Sequence, residues 1–75
     1  MAPTPEQVAD ARAVIDAAQA ATGLSLARLA AALGVSNTAL HRWRAGTRAM
    51  DETARRLCRA YTLVPELVGA LSAEE

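Results

Sequence analysis

The run from Leu26 to Gly46 constrains this chain most: Leu-Ala-Arg-Leu-Ala-Ala-Ala-Leu-Gly-Val-Ser-Asn-Thr-Ala-Leu-His-Arg-Trp-Arg-Ala-Gly. Leu26, Leu29, Ala30 and Leu33 recur at three- and four-residue steps, which places them on one face of a helix. Gly34 stops that helix, and Ser36 can cap the next one. Leu40 and Trp43 then form a second inward pair, and Gly46 ends it. Two short helices must therefore meet across the three residues Gly34-Val35-Ser36.

Such a joint makes specific demands on its residues. Ala30 has to be small where the two helices cross. Gly34 supplies a left-handed backbone. Val35 and Leu40 plug the angle between the helices. Ser36 leaves the start of the second helix open, where free N–H groups and the helix dipole favour a phosphate.

The rest of the chain reads as helix too. Thr4-Pro5-Glu6-Gln7 offers an N-cap, a proline at the first helical position and a capping-box partner. Val8, Ala11, Ile15 and Ala18 follow on one face, and Gly23 is a stop. Asp51 can cap a fourth helix with Ala54, Leu57, Cys58 and Tyr61 inward. Pro65 can open a short fifth helix carrying Leu67, Val68 and Leu71. The predicted helices span about 5–22, 25–33, 36–45, 51–62 and 65–71. No stretch alternates with period two, so no strand is expected. With 75 residues, 52% of them hydrophobic, one domain over 1–75 is expected. Its core is marginal, because a chain this short buries only about 60% of its unfolded surface.

The formal net charge is zero, but the charges are segregated. Residues 1–24 carry −2 and residues 63–75 carry −3. Residues 25–62 carry +5, from seven arginines set against Asp51 and Glu52. No acid lies between Ser36 and Arg48. A basic centre between acidic ends fits one nucleic-acid-facing surface on an acidic body. No apolar run reaches the roughly 20 residues that span a membrane. The N-terminus lacks the order of a secretory signal, so a cytoplasmic or nucleoid-associated protein is expected. Cys58 has no second cysteine to pair with, and it reads as a small buried apolar residue.

The matched positions Leu29, Ala30, Leu33-Gly34-Val35-Ser36, Leu40, Trp43 and Gly46 resemble the Cro/C1-type (XRE) helix-turn-helix family, and Leu57, Ala60 and Tyr61 extend the resemblance over about residues 24–71. The resemblance implies an all-α, lambda-repressor-like fold: a compact bundle of about five short helices that binds double-stranded DNA. It places base contacts at Asn37, Thr38, His41 and Arg42. The chemistry suits that role, because Asn pairs with adenine, Arg with guanine, and Thr offers a hydroxyl and a methyl. Ser25, Ser36, Arg44 and Arg48 would be phosphate contacts that fix the register. Two departures stand out. Many family members place an acid near the end of the recognition helix, paired with a base late in the first helix; here those positions read Arg44 and Gln19, so that pair is expected to be absent and Arg44 to be free for DNA or another acid. The following loop, Thr47-Arg48-Ala49-Met50, carries one basic residue where the family often has several. A shallow salt dependence of binding follows.

The function expected is a sequence-specific transcriptional regulator, a repressor acting as a homodimer on an inverted repeat. Leu67, Val68 and Leu71 are the expected dimer surface, because their apolar area exceeds what so small a core can hide. The alternative is an antitoxin-like or phage-encoded interaction module whose main partner is another protein. A minor-groove architectural binder would need a strand wing that the pattern lacks. No catalytic triad or phosphate-cradling loop is legible. His41 has no metal-ligand spacing around it. The chain is thus read as a non-enzyme without cofactor or metal.

Overall fold

Most of the helices begin where a side-chain oxygen can take a free backbone N–H. The computed structural model describes the backbone of residues 2–72 and the side chains of residues 2–69. Helix α1 spans Pro5–Thr22, with both halves of its capping box formed: Gln7 N donates to Thr4 Oγ1 at 3.1 Å, and Thr4 N donates to Gln7 Oε1 at 2.9 Å. Helix α2 spans Leu26–Leu33, capped by Ser25, and α3 spans Asn37–Ala45, capped by Ser36. Helix α4 spans Glu52–Leu63, and α5 spans Glu66–Ser72. Asp51 does stand at the N-cap position of α4, but its side chain makes no capping bond. It is exposed, so water can satisfy the donors it leaves open. Among the described residues there is no strand.

The apolar stripes converge on one cluster. Ile15 and Ala18 of α1 meet Leu29, Ala30 and Leu33 of α2, Leu40 and Trp43 of α3, and Ala54, Cys58 and Tyr61 of α4. Tyr61, Ile15, Leu29, Leu40 and Cys58 are fully enclosed. Each large side chain hidden this way contributes about 1.5–3 kcal/mol. The Tyr61 hydroxyl donates to the Ala32 carbonyl oxygen at 2.9 Å, so α4 is tied to α2 without leaving a buried phenol unpaired. Three positions expected to face inward, Val8, Leu26 and Leu57, are only half-buried. Leu57 sits at the edge of the core, and Val8 leans on the end of α3 instead. Helix α1 packs mainly along α4 and next against α3, and α2 against α3. The second and third helices are therefore held from behind by the first and fourth.

Candidate nucleic-acid interface

Helix α3 is divided lengthwise. Leu40 and Trp43 are buried, while Asn37, Thr38, His41 and Arg42 are all exposed. These four fall at steps of one and four residues, so they share one outward face. Among the described residues none of the four makes a side-chain hydrogen bond, and no ion pair holds Arg42. A row of donors and acceptors without internal partners on a convex helix is what a major groove can receive. Trp43 cannot stack on a base, because it is enclosed in the core.

The turn that presents α3 follows from Gly34. Its φ of +74° is left-handed, and its N–H closes the end of α2 onto Ala30 and Ala31. Val35 N then reaches back to Ala30 O at 3.0 Å, so the chain reverses within three residues. Ser25 and Ser36 stand at the starts of α2 and α3. Their hydroxyl oxygens accept from Arg28 N at 3.2 Å and from Ala39 N at 3.0 Å. Each hydroxyl keeps its own hydrogen to donate to a phosphate.

The far end of α3 rests on α1. Arg12 Nε donates to the Arg44 carbonyl oxygen at 2.6 Å. Arg44 Nη2 reaches Asp16 Oδ1 at 3.4 Å. The family's usual pair between these two positions is absent, and Arg44 takes another acid instead: Asp16, three residues before Gln19, with the charges reversed between the helices. Gln19 turns elsewhere, its Nε2 donating to the Leu24 carbonyl oxygen at 3.3 Å. The signal for this corner was the four-residue spacing of Val8, Arg12 and Asp16, which the apolar pattern of α1 concealed.

Ion pairing takes up part of the acidic charge. Asp10 pairs with Arg55, Asp16 with Arg44, and Glu52 with Arg55 and Arg56. The hydrogen bond from Arg55 holds the Asp10 carboxyl below its ordinary range, against a smaller opposing effect of burial. Among the described residues no ion pair neutralises Arg28 or Arg42. Arg48 is exposed but shares a cleft with Asp51 and Glu52, which dilute its charge.

Cys58 lies in the core, and burial pushes its thiol up to about 11. It is not poised for redox chemistry at neutral pH. No described helix is long and apolar enough to cross a membrane. No curated protein and no solved structure matches the chain. A helix-turn-helix family model does match, over residues 18–66, which takes in α2, the turn, α3 and α4. With that match and the divided face of α3 together, the chain belongs to the Cro/C1-type (XRE) helix-turn-helix family of DNA-binding transcription regulators.

Proposed function

We propose that the chain is a cytoplasmic repressor that binds an inverted-repeat operator as a homodimer, with Asn37, Thr38, His41 and Arg42 reading base edges. The observation that carries this reading is the division of α3, where Leu40 and Trp43 are spent on the core and the four polar side chains are spent on nothing. Ser25, Ser36 and Arg48 contact phosphates on either side. One such module reads few base pairs, so two copies bind half-sites about 34 Å apart, or a multiple of that. The dimer surface is the α4–α5 corner. Leu67 and Val68 are half-buried against the core, and Leu63 and Val64 beside them are exposed. Leu71 lies outside the residues whose side chains are described.

Selecting bound duplexes from a random DNA pool tests this. The expected product is a two-fold symmetric consensus bound by two chains. A pool that yields no enriched sequence refutes base reading, and a single chain on each selected duplex refutes the dimer.

A second reading is an interaction module for another protein. It is favoured by an apolar cleft of about 250 Å³ lined by Ala13, Val14, Ala17, Arg59, Thr62 and Leu63. That cleft joins α1 to α4, and α3 contributes nothing to it. The discriminating result is a stoichiometric protein partner still captured when His41 and Arg42 are replaced by alanine.

A further inference from the structure

Three residues of α1 at four-residue steps all engage the last turn of α3 or its cap. Val8 lies over Gly46, so close that a Cβ on that glycine would sit 3.1 Å from both Val8 methyl carbons. Arg12 Nε donates to the Arg44 carbonyl oxygen at 2.6 Å. Asp16 Oδ1 accepts from Arg44 Nη2 at 3.4 Å. Four-residue steps place the three on adjacent turns of one face. The Arg44 carbonyl is one of the last four in α3, which have no partner within their own helix. A guanidinium there is also favoured by the negative end of the helix dipole.

Arg44 itself behaves as a held residue. Its Nε is buried and has no hydrogen-bond partner among the described residues. An unpaired buried N–H is costly, and an unconstrained arginine would swing it into water. The side chain instead stays folded toward α1, away from the row formed by Asn37, Thr38, His41 and Arg42. Rotating α3 about its axis would move the base-reading row and would break this corner at the same time.

We propose that Val8, Arg12 and Asp16 form a seat that sets the pose of α3, and that Arg44 is a positioning residue for base reading and not a phosphate contact. The inference rests on the reading of α3 as the base-reading helix. It assigns to Arg44 the opposite of the role that its charge and place near DNA suggest.

The two roles differ in the sign of their effects. Binding is measured against salt on a duplex recovered from the random pool and on a random-sequence duplex of equal length. For a positioning residue, Arg44→Gln and Asp16→Asn each weaken the selected duplex severalfold. The random duplex is nearly unaffected, and the salt slope is unchanged, because no phosphate contact is lost. The swapped pair Asp16→Arg with Arg44→Asp recovers the selectivity ratio. Asp16 is more than half exposed, so its variant keeps the fold even where Arg44→Gln loosens it. Circular dichroism well below the melting temperature confirms equal helix content.

A phosphate-contact Arg44 gives a different pattern. Arg44→Gln then lowers the slope by about 0.9 on both duplexes. Asp16→Asn, by freeing the guanidinium, tightens binding. Either result overturns the proposal, and so do variants that match wild type on both duplexes. If wild type enriches no duplex at all, the base-reading assignment fails and this inference falls with it. That outcome is distinct from a wild type that binds while the variants show the wrong sign.

Discussion

Gly46 lies directly beneath Val8, where a methyl group would sit 3.1 Å from both Val8 methyl carbons and fit only if Val8 gave way by a few tenths of an ångström. Its φ is +81°, and Gly46 N and Thr47 N both donate to the Arg42 carbonyl oxygen, at 3.0 and 3.1 Å. Two separate penalties therefore meet at one position. Gly46→Ala is expected to cost about 1–2 kcal/mol for the left-handed backbone, plus a steric share from Val8. Gly34 has a similar φ of +74° but open space around it, so Gly34→Ala carries the backbone share alone. Denaturant melts of the two variants and of Gly46→Ala with Val8→Ala separate the shares. The double variant should recover the difference between the glycines apart from its own cavity cost.

Arg42 and Arg48 should fail differently. Arg42→Ala should cost about 1–3 kcal/mol on the selected duplex and relax the preference at one base pair. Arg48→Ala should weaken all duplexes alike and lower the salt slope by about 0.9. Both are exposed, so thermal stability should not change. Fluorescence anisotropy across a set of single-base variants at several salt concentrations distinguishes the two patterns.

Leu40 is fully enclosed on the inner face of α3. Leu40→Ala is expected to cost about 2–5 kcal/mol, a large share of the stability of so small a domain. The DNA-binding loss that follows should track the unfolded fraction. Cooling or a stabilising osmolyte should restore binding to Leu40→Ala but not to Arg42→Ala.

Cys58 should be silent toward alkylating reagents in the native state. With its thiol pushed up to about 11, only about one molecule in a thousand is a thiolate at pH 8. The folded value lies above the unfolded one, near 8.5. The stabilisation from keeping the thiol neutral is complete below about pH 8.5 and is lost as pH rises through about 11. Alkylation rates should jump on unfolding. The alkaline fall in melting temperature should be smaller in Cys58→Ala, which starts from a lower baseline. A native thiol that reacts as fast as a free one refutes the burial argument.

The pair between Arg55 and Asp10 should respond at the acid end. Arg55 Nε donates to Asp10 Oδ2 at 2.5 Å, tying α4 to α1. The folded Asp10 value is depressed, so the pair contributes fully above the unfolded value near 3.9. Its contribution is lost as pH falls from there through the lower folded value. Asp10→Asn should therefore melt earlier at pH 6 and show a shallower acid limb below pH 4. Equal acid limbs in the two proteins would show that the pair contributes nothing. Both side chains remain in contact with water, so the effect should be small and should shrink with salt.

Much of this protein was legible in its sequence because the determinants are local. Thr4 with Gln7, Ser25, Ser36, Gly34 and Gly46 act within four residues of themselves, and helical period alone separates Leu40 and Trp43 from Asn37, Thr38, His41 and Arg42. Asp51 shows the limit of such rules, because a suitable residue at a cap position need not make the bond.

What tertiary structure decided lies between elements distant in sequence. Arg44 meets Asp16 across 28 positions, and Arg12 meets the Arg44 carbonyl across 32. Val8, counted with the core stripe by its period, is diverted to Gly46. Leu67 and Val68 are half-buried against the core, and Leu63 and Val64 beside them are exposed. Period and caps act within one helix, so they assign each helix an inner and an outer face. Which charge meets which carboxylate depends on the angle at which two helices cross, and that angle is set only when all the apolar stripes are packed together.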